Sequence, residues 1–80
     1  MEVVIYGKPG CSYCVKAKSL CEAKGISYQY KQVGTDITKE LLEGLVGNPI
    51  KTVPQIFIHE DGFYNYVGGY DQLKVKLNEK

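Results

Sequence analysis

Val3-Val4-Ile5-Tyr6 is a continuous apolar run near the start of the chain. That pattern suits a strand covered on both faces, at the centre of a sheet. Gly7-Lys8-Pro9-Gly10 interrupts it as a loop. From Ser12 to Lys24 the period changes to that of a helix. Cys14, Ala17, Leu20 and Cys21 share one face, Lys16, Lys18 and Glu22 lie largely elsewhere, and Gly25 is placed to stop the helix. Ile26 to Val33 then alternates, Tyr28 and Tyr30 against Gln29 and Lys31, which predicts a second strand. A helix joining two strands makes a βαβ unit, so these two strands should run parallel. Thr38 to Val46 reads as a second helix, with Ile37, Leu41, Leu42 and Leu45 along one side, Thr38 as its cap and Gly47-Asn48-Pro49 as its end. Gln55 to His59 is a third strand, Glu60-Asp61-Gly62 a turn, and Phe63 to Val67 the returning arm of an antiparallel hairpin. After Gly68-Gly69, Asp71 is placed to cap a last helix carrying Leu73 and Leu77 on one face. The order β-α-β-α-β-β-α predicts an α/β domain over residues 1–80: a four-stranded mixed β-sheet flanked by three helices.

Composition narrows the function. The 80 residues allow one domain, and 44% hydrophobic with 24% charged residues is ordinary for a globular protein. Ten Lys stand against nine Asp and Glu with no Arg, a net charge of +1. Such a chain lacks both the basic excess and the bidentate guanine reader that nucleic-acid binding needs. No apolar run approaches the roughly 20 residues of a membrane span. The acidic second residue and four-residue apolar run at the N-terminus do not make a signal peptide, so a cytoplasmic location is expected. Three cysteines cannot form the multiple-disulfide framework of a small secreted domain.

Cys11-Ser12-Tyr13-Cys14 stands where the first strand hands over to the first helix. Two intervening residues on a helical turn let the sulfurs meet. Unpaired N–H groups and the helix dipole favour an anion at Cys11, and Lys8 adds a cation nearby. Cys11 is therefore expected to be the nucleophile, with a lowered pKa, and Cys14, one turn in, the resolving thiol. The spacing alone leaves two other readings open. One is half of a zinc site completed by Cys21 and His59, although Cys21 falls on the inner helix face and His59 ends a distant strand. The other is a pair of inert buried thiols. Cys21 reads as core packing, His59 as a surface residue, and Tyr28 and Tyr30 as strand packing.

Three segments together resemble the glutaredoxin family across nearly the whole chain. They are Lys8-Pro9-Gly10-Cys11-Ser12-Tyr13-Cys14, Thr52-Val53-Pro54-Gln55-Ile56-Phe57-Ile58 and Gly68-Gly69-Tyr70-Asp71. The resemblance implies a thioredoxin fold and a glutathione-dependent thiol–disulfide oxidoreductase acting on protein disulfides and glutathione mixed disulfides. It makes Cys11 and Cys14 the catalytic pair. It makes Pro54 a cis-proline facing Cys11, so that Val53 offers its backbone to the cysteine of glutathione like a strand edge. It places Lys8 and Lys51 near the glycine carboxylate, Thr52 among the glutathione-binding residues beside Val53, Tyr13 beside the sulfur, and Gly69, Tyr70 and Asp71 at the γ-glutamyl end. Glutathione is then a co-substrate, with no tightly bound cofactor and no metal. The expected partners are disulfide-containing proteins, ribonucleotide reductase being one the family suggests, and the expected state is a monomer.

Two residues depart from the family pattern. Ser12 stands where most dithiol members carry Pro, and Ser there is associated with members that bridge a [2Fe-2S] cluster between two chains using glutathione. Lys51 stands where Arg is common, and Lys cannot make the bidentate fork. Two alternatives follow from the resemblance: a cluster-binding dimer, and a thioredoxin-like electron donor served by a flavoprotein reductase. The Tyr13-Cys14 end of the motif and the Gly68-Gly69-Tyr70-Asp71 segment argue against the second.

Overall fold

A computed structural model describes residues 1–78 of the protein. The strands are β1 (Glu2–Gly7), β2 (Tyr28–Gln32), β3 (Gln55–Glu60) and β4 (Phe63–Gly68). The helices are α1 (Ser12–Ala23), α2 (Lys39–Val46) and α3 (Tyr70–Asn78). The strands form one sheet in the order β2-β1-β3-β4. β1 runs parallel to β2 and antiparallel to β3, and β3 and β4 make the hairpin. This is the mixed four-stranded sheet with three helices that the hydrophobic pattern predicts.

The two central strands have apolar residues on both sides, so the sheet divides two cores. Val3, Ile5, Ile56 and Ile58 face α1 and α3 and pack with Ala17, Cys21 and Leu73. Val4, Tyr6 and Phe57 face the other way and pack with Leu42 and Ile50. The alternation on β2 also holds: Tyr28 and Tyr30 join the α1 side. Their side chains reach the helix that precedes them, because the parallel register sets Tyr30 beside Ile5.

Three details differ from the sequence reading. α2 buries Leu42 and half-buries Val46, Ile37 packs half-buried just ahead of the helix, and Leu41 and Leu45 stand 61% and 54% exposed. One short helix over a two-strand-wide patch can bury only a narrow stripe, so the outer leucines face solvent. Ile26 lies outside β2. It is spent instead on ending α1, where the Ile26 N–H donates to the Cys21 carbonyl and the Gly25 N–H to Glu22. With Gly25 at φ +66°, that is a Schellman stop. Finally, α3 begins at Tyr70, before Asp71. The Leu73 N–H donates to the Gly69 carbonyl, and the Gln72 side chain accepts the Gly69 N–H at 3.0 Å. Gln72 thus closes the helix entrance, and Asp71 sits exposed in the first turn.

The other expected ends hold. Thr38 Oγ1 accepts the Leu41 N–H at 3.1 Å. Asp61 and Gly62 both take positive φ between β3 and β4, the two-residue turn that matches the twist of a hairpin.

Gln55 fixes the loop that precedes β3. It is a buried polar residue, 7% exposed. Its Nε2 donates to the Thr52 carbonyl at 2.7 Å, and its Oε1 accepts the Tyr66 hydroxyl. One side chain therefore ties Thr52-Val53-Pro54 to β4. Gln55→Ala is expected to destabilise the protein by about 1–2 kcal/mol, because two part-buried hydrogen bonds are lost while Thr52 and Tyr66 remain within reach of water. Thermal unfolding measures this, and a glutathione titration of the same variant reads whether the loop has moved.

Candidate active site

Cys11 is the N-cap of α1, with extended backbone at φ −87° and ψ 114°. Its sulfur accepts the Cys14 N–H at 3.4 Å. The first turn of a helix has N–H groups without partners inside the helix, and here one of them points at a sulfur. Ser12 and Tyr13, the two residues between the cysteines, are exposed, and Cys11 itself is half-buried. One face of Cys11 is therefore open to an incoming disulfide. Across the site its Sγ lies 3.7 Å from the Val53 carbonyl oxygen.

Cys14 is fully buried, one turn behind. Burial is the largest cause that pushes its thiol up, and the hydrogen bond with Cys11 adds to it. The Lys8 backbone and the Tyr30 hydroxyl act in the opposite direction, as hydrogen-bonding partners that favour the thiolate. The Tyr30 hydroxyl also donates to the Lys8 carbonyl at 3.2 Å. This cluster fits only because residue 7 is glycine. A Cβ there would lie 2.5 Å from the Tyr30 oxygen and 2.6 Å from the Cys14 sulfur.

The peptide bond between Val53 and Pro54 is cis, as the resemblance implies. Pro54 is buried, and its carbonyl lies near Gly69 on the far side. Tyr70, the first residue of α3, sets its ring 6.2 Å from that of Tyr13. Cys11, Tyr13, Val53, Pro54, Gly69 and Tyr70 thus form one connected surface. Its other flank is a cleft of about 360 Å³ lined by Lys8, Lys39, Ile50, Lys51, Thr52 and Val53. Three lysines around one small cleft make it attractive to a carboxylate. Asp71 stands beyond Tyr70 and lines a separate, larger hollow of about 620 Å³ between β4 and α3, which contains no cysteine.

Sequence reasoning missed Lys39, Gln55 and Tyr30 as parts of this site. Lys39 is the first residue of α2 and carries no motif; only the return of α2 toward the loop before β3 brings it near Lys51. Tyr30 gave a weak signal, since the parallel strand beside β1 ends next to the cysteine loop. The residues weighed for zinc lie apart from it. His59 pairs with Glu2 at the opposite end of β1 and stacks on Tyr64 at 4.2 Å. Cys21 is sealed in the core, and burial raises its thiol. Among the described residues, no three His, Cys, Asp or Glu gather closely enough to hold a metal ion.

Comparison with known proteins agrees across the whole chain. Residues 3–63 match the family model described as Glutaredoxin. A glutaredoxin of Haemophilus influenzae is 44% identical over 86 residues, covering 100% of this chain and 94% of that protein. The structure of reduced Escherichia coli glutaredoxin superposes with a TM-score of 0.77 at 42% identity, covering 98% of this chain and 96% of that one. A buckwheat glutaredoxin–glutathione complex matches with a TM-score of 0.65 at 27% identity, over 94% of this chain and 66% of that one.

Proposed function

The chain belongs to the glutaredoxin family and is a glutathione-dependent thiol–disulfide oxidoreductase with a Cys11/Cys14 redox pair, and from that premise we propose how its residues divide the work. Cys11 attacks. Its thiolate displaces one sulfur of the substrate disulfide, which leaves as a thiolate and takes up a proton. The product is a mixed disulfide on Cys11. With a protein substrate, Cys14 then attacks the Cys11 sulfur, releases the second substrate thiol and closes the Cys11–Cys14 disulfide. Two glutathione molecules reopen it. With a glutathione mixed disulfide, Cys11 carries the glutathionyl group until a second glutathione removes it. Couples of this family lie at roughly −200 to −230 mV, so glutathione can drive the cycle. The observation that carries this reading is Cys11 at the mouth of α1, accepting the Cys14 N–H while the Cys14 side chain is buried one turn behind.

Glutathione has two carboxylates and one ammonium group, so its site needs both signs of charge. We place its cysteine along the backbone of Val53, beside Cys11. The glycine carboxylate goes toward Lys8, Lys51 and Lys39, with Thr52 at the edge of the same cleft. The γ-glutamyl end goes to Gly69, Tyr70 and Asp71, where the opening N–H groups of α3 take the carboxylate and Asp71 the ammonium. Tyr13 covers the sulfur from the opposite side.

Asp71→Ala tests this placement. Because Gln72 closes the helix entrance, Asp71 can be removed with little loss of fold. The apparent KM for a glutathione mixed disulfide is expected to rise about three- to tenfold, less than a shielded charge-assisted bond would give because Asp71 is exposed. Melting the variant beside its kinetics separates binding from folding. An unchanged KM in a folded variant would remove Asp71 from the site.

A further inference from the structure

The attacking sulfur has its own device, the N-terminus of α1. The resolving sulfur has an equal need that the mechanism leaves unmet. Cys14 must ionise before it can attack, and it is fully buried. Two groups converge on it over the bare face of Gly7. The Tyr30 oxygen and the Cys14 sulfur occupy the same small space, 2.5 Å and 2.6 Å from where a Cβ would stand. The Tyr30 hydroxyl donates to the Lys8 carbonyl at 3.2 Å, at the edge of that space.

We propose that the Tyr30 hydroxyl, with the Lys8 backbone, is the donor that holds the resolving Cys14 sulfur as a thiolate during the second half of the cycle. A phenol has one proton to give. While Cys14 is a thiol, that proton rests on the Lys8 carbonyl. When Cys14 ionises, rotation about the C–O bond turns the proton to the sulfur, with no movement of backbone or ring. Tyr30 cannot act as the base, because burial and the two neighbouring thiols push its hydroxyl up to about 12. It keeps its proton and only donates. The step balances without a further reactant: the Cys14 sulfur bonds to Cys11, the Cys11–substrate bond breaks, and the proton lost by Cys14 ends on the departing substrate thiolate.

The titratable groups bearing on Cys14 are few. Cys11 faces it from the start of the same helix and Tyr30 from β2. Lys18 Nζ lies 5.1 Å over the Tyr30 ring, a cation–π contact that helps hold the ring in place. α3 meets this side of the sheet with Leu73, Leu77 and Tyr70; Tyr70 is its one titratable group there, and it is not among the groups that act on Cys14.

Tyr30→Phe tests the proposal, since it keeps the ring and its contact with Lys18 and removes only the hydroxyl. The proposal rests on Cys14 being the resolving thiol, so the first measurement avoids turnover. In a Cys11→Ser background, the Cβ chemical shift of Cys14 is followed by NMR against pH, which needs no access of a reagent to the buried sulfur, with buried Cys21 of the same molecules as the internal reference. Tyr30→Phe is expected to raise the midpoint for Cys14 by about one pH unit, about tenfold less thiolate at neutral pH, and to leave Cys21 where it was. An unmoved Cys14 midpoint overturns the proposal, and so does an equal shift of Cys21, which marks general loosening. The second measurement uses the Cys11/Cys14 protein. Reduction of a protein disulfide should fall several-fold more than reduction of a glutathione mixed disulfide. Equal loss of both would make Tyr30 only an anchor for the Lys8 loop and would also overturn the proposal.

Discussion

Cys11→Ser is expected to remove turnover with every disulfide substrate, by a factor on the order of 10³ or more, equivalent to at least about 4 kcal/mol of barrier. The reason is chemical before it is structural. Disulfide exchange needs a thiolate, and a serine hydroxyl has no comparable anion near neutral pH. The geometry leaves no substitute. Cys14 is fully buried and burial raises its thiol, and Cys21 is enclosed in the core. The same asymmetry predicts the order of alkylation in the reduced protein: Cys11 first, with the buried Cys14 and Cys21 far behind. Mass mapping of the labelled protein checks it. Equal labelling of Cys11 and Cys14 would overturn the assignment of roles.

Cys14→Ser should instead split the activity in two. Reduction of a glutathione mixed disulfide needs Cys11 and free glutathione, and it should survive. Reduction of a disulfide within a protein depends on prompt release of the mixed disulfide, and it should fall on the order of tenfold or more. A serine at position 14 is slightly smaller than cysteine and keeps the N–H that Cys11 accepts. Both assays on one preparation make the comparison internal. Loss of both activities to the same extent would show that every cycle passes through Cys14.

The backbone of this reading was legible because its signals are local. A run of four apolar residues, a glycine at a helix stop, a threonine at a helix start and Asp61-Gly62 at a hairpin each carry their conformation with them. The face of α2 was harder. Leu41 and Leu42 are equal in hydrophobicity, and only the area of sheet available beneath the helix decides which is buried. Asp71 looked like a cap because aspartate often is one, yet Gln72 reaches Gly69 first. The site divides in the same way. Cys11, Cys14, Val53, Pro54 and Tyr13 were visible through motif and resemblance. Gln55 lay within a quoted segment, but its bonds to Thr52 and across the hairpin to Tyr66 carry no motif of their own. Lys39 and Tyr30 owe their places to segments far apart in the chain, and no spacing along the sequence encodes such a meeting.

Cys21 lies seven residues beyond Cys14, roughly 10 Å along the helix axis at 1.5 Å per residue. A disulfide needs its Cα atoms within about 7 Å. The protein thus handles disulfides while carrying a third thiol that cannot enter a wrong pairing with its neighbour while the helix stands. Sealed at 0% exposure, that thiol is also a clock. Under native conditions a thiol reagent reaches Cys21 only as often as the α1 core opens, so its slow labelling counts openings of the domain while Cys11 is saturated from the start. Peroxide follows the same rule: damage begins on Cys11, where Cys14 stands ready to capture a sulfenic acid as a reversible disulfide, and spares the core until the fold itself gives way.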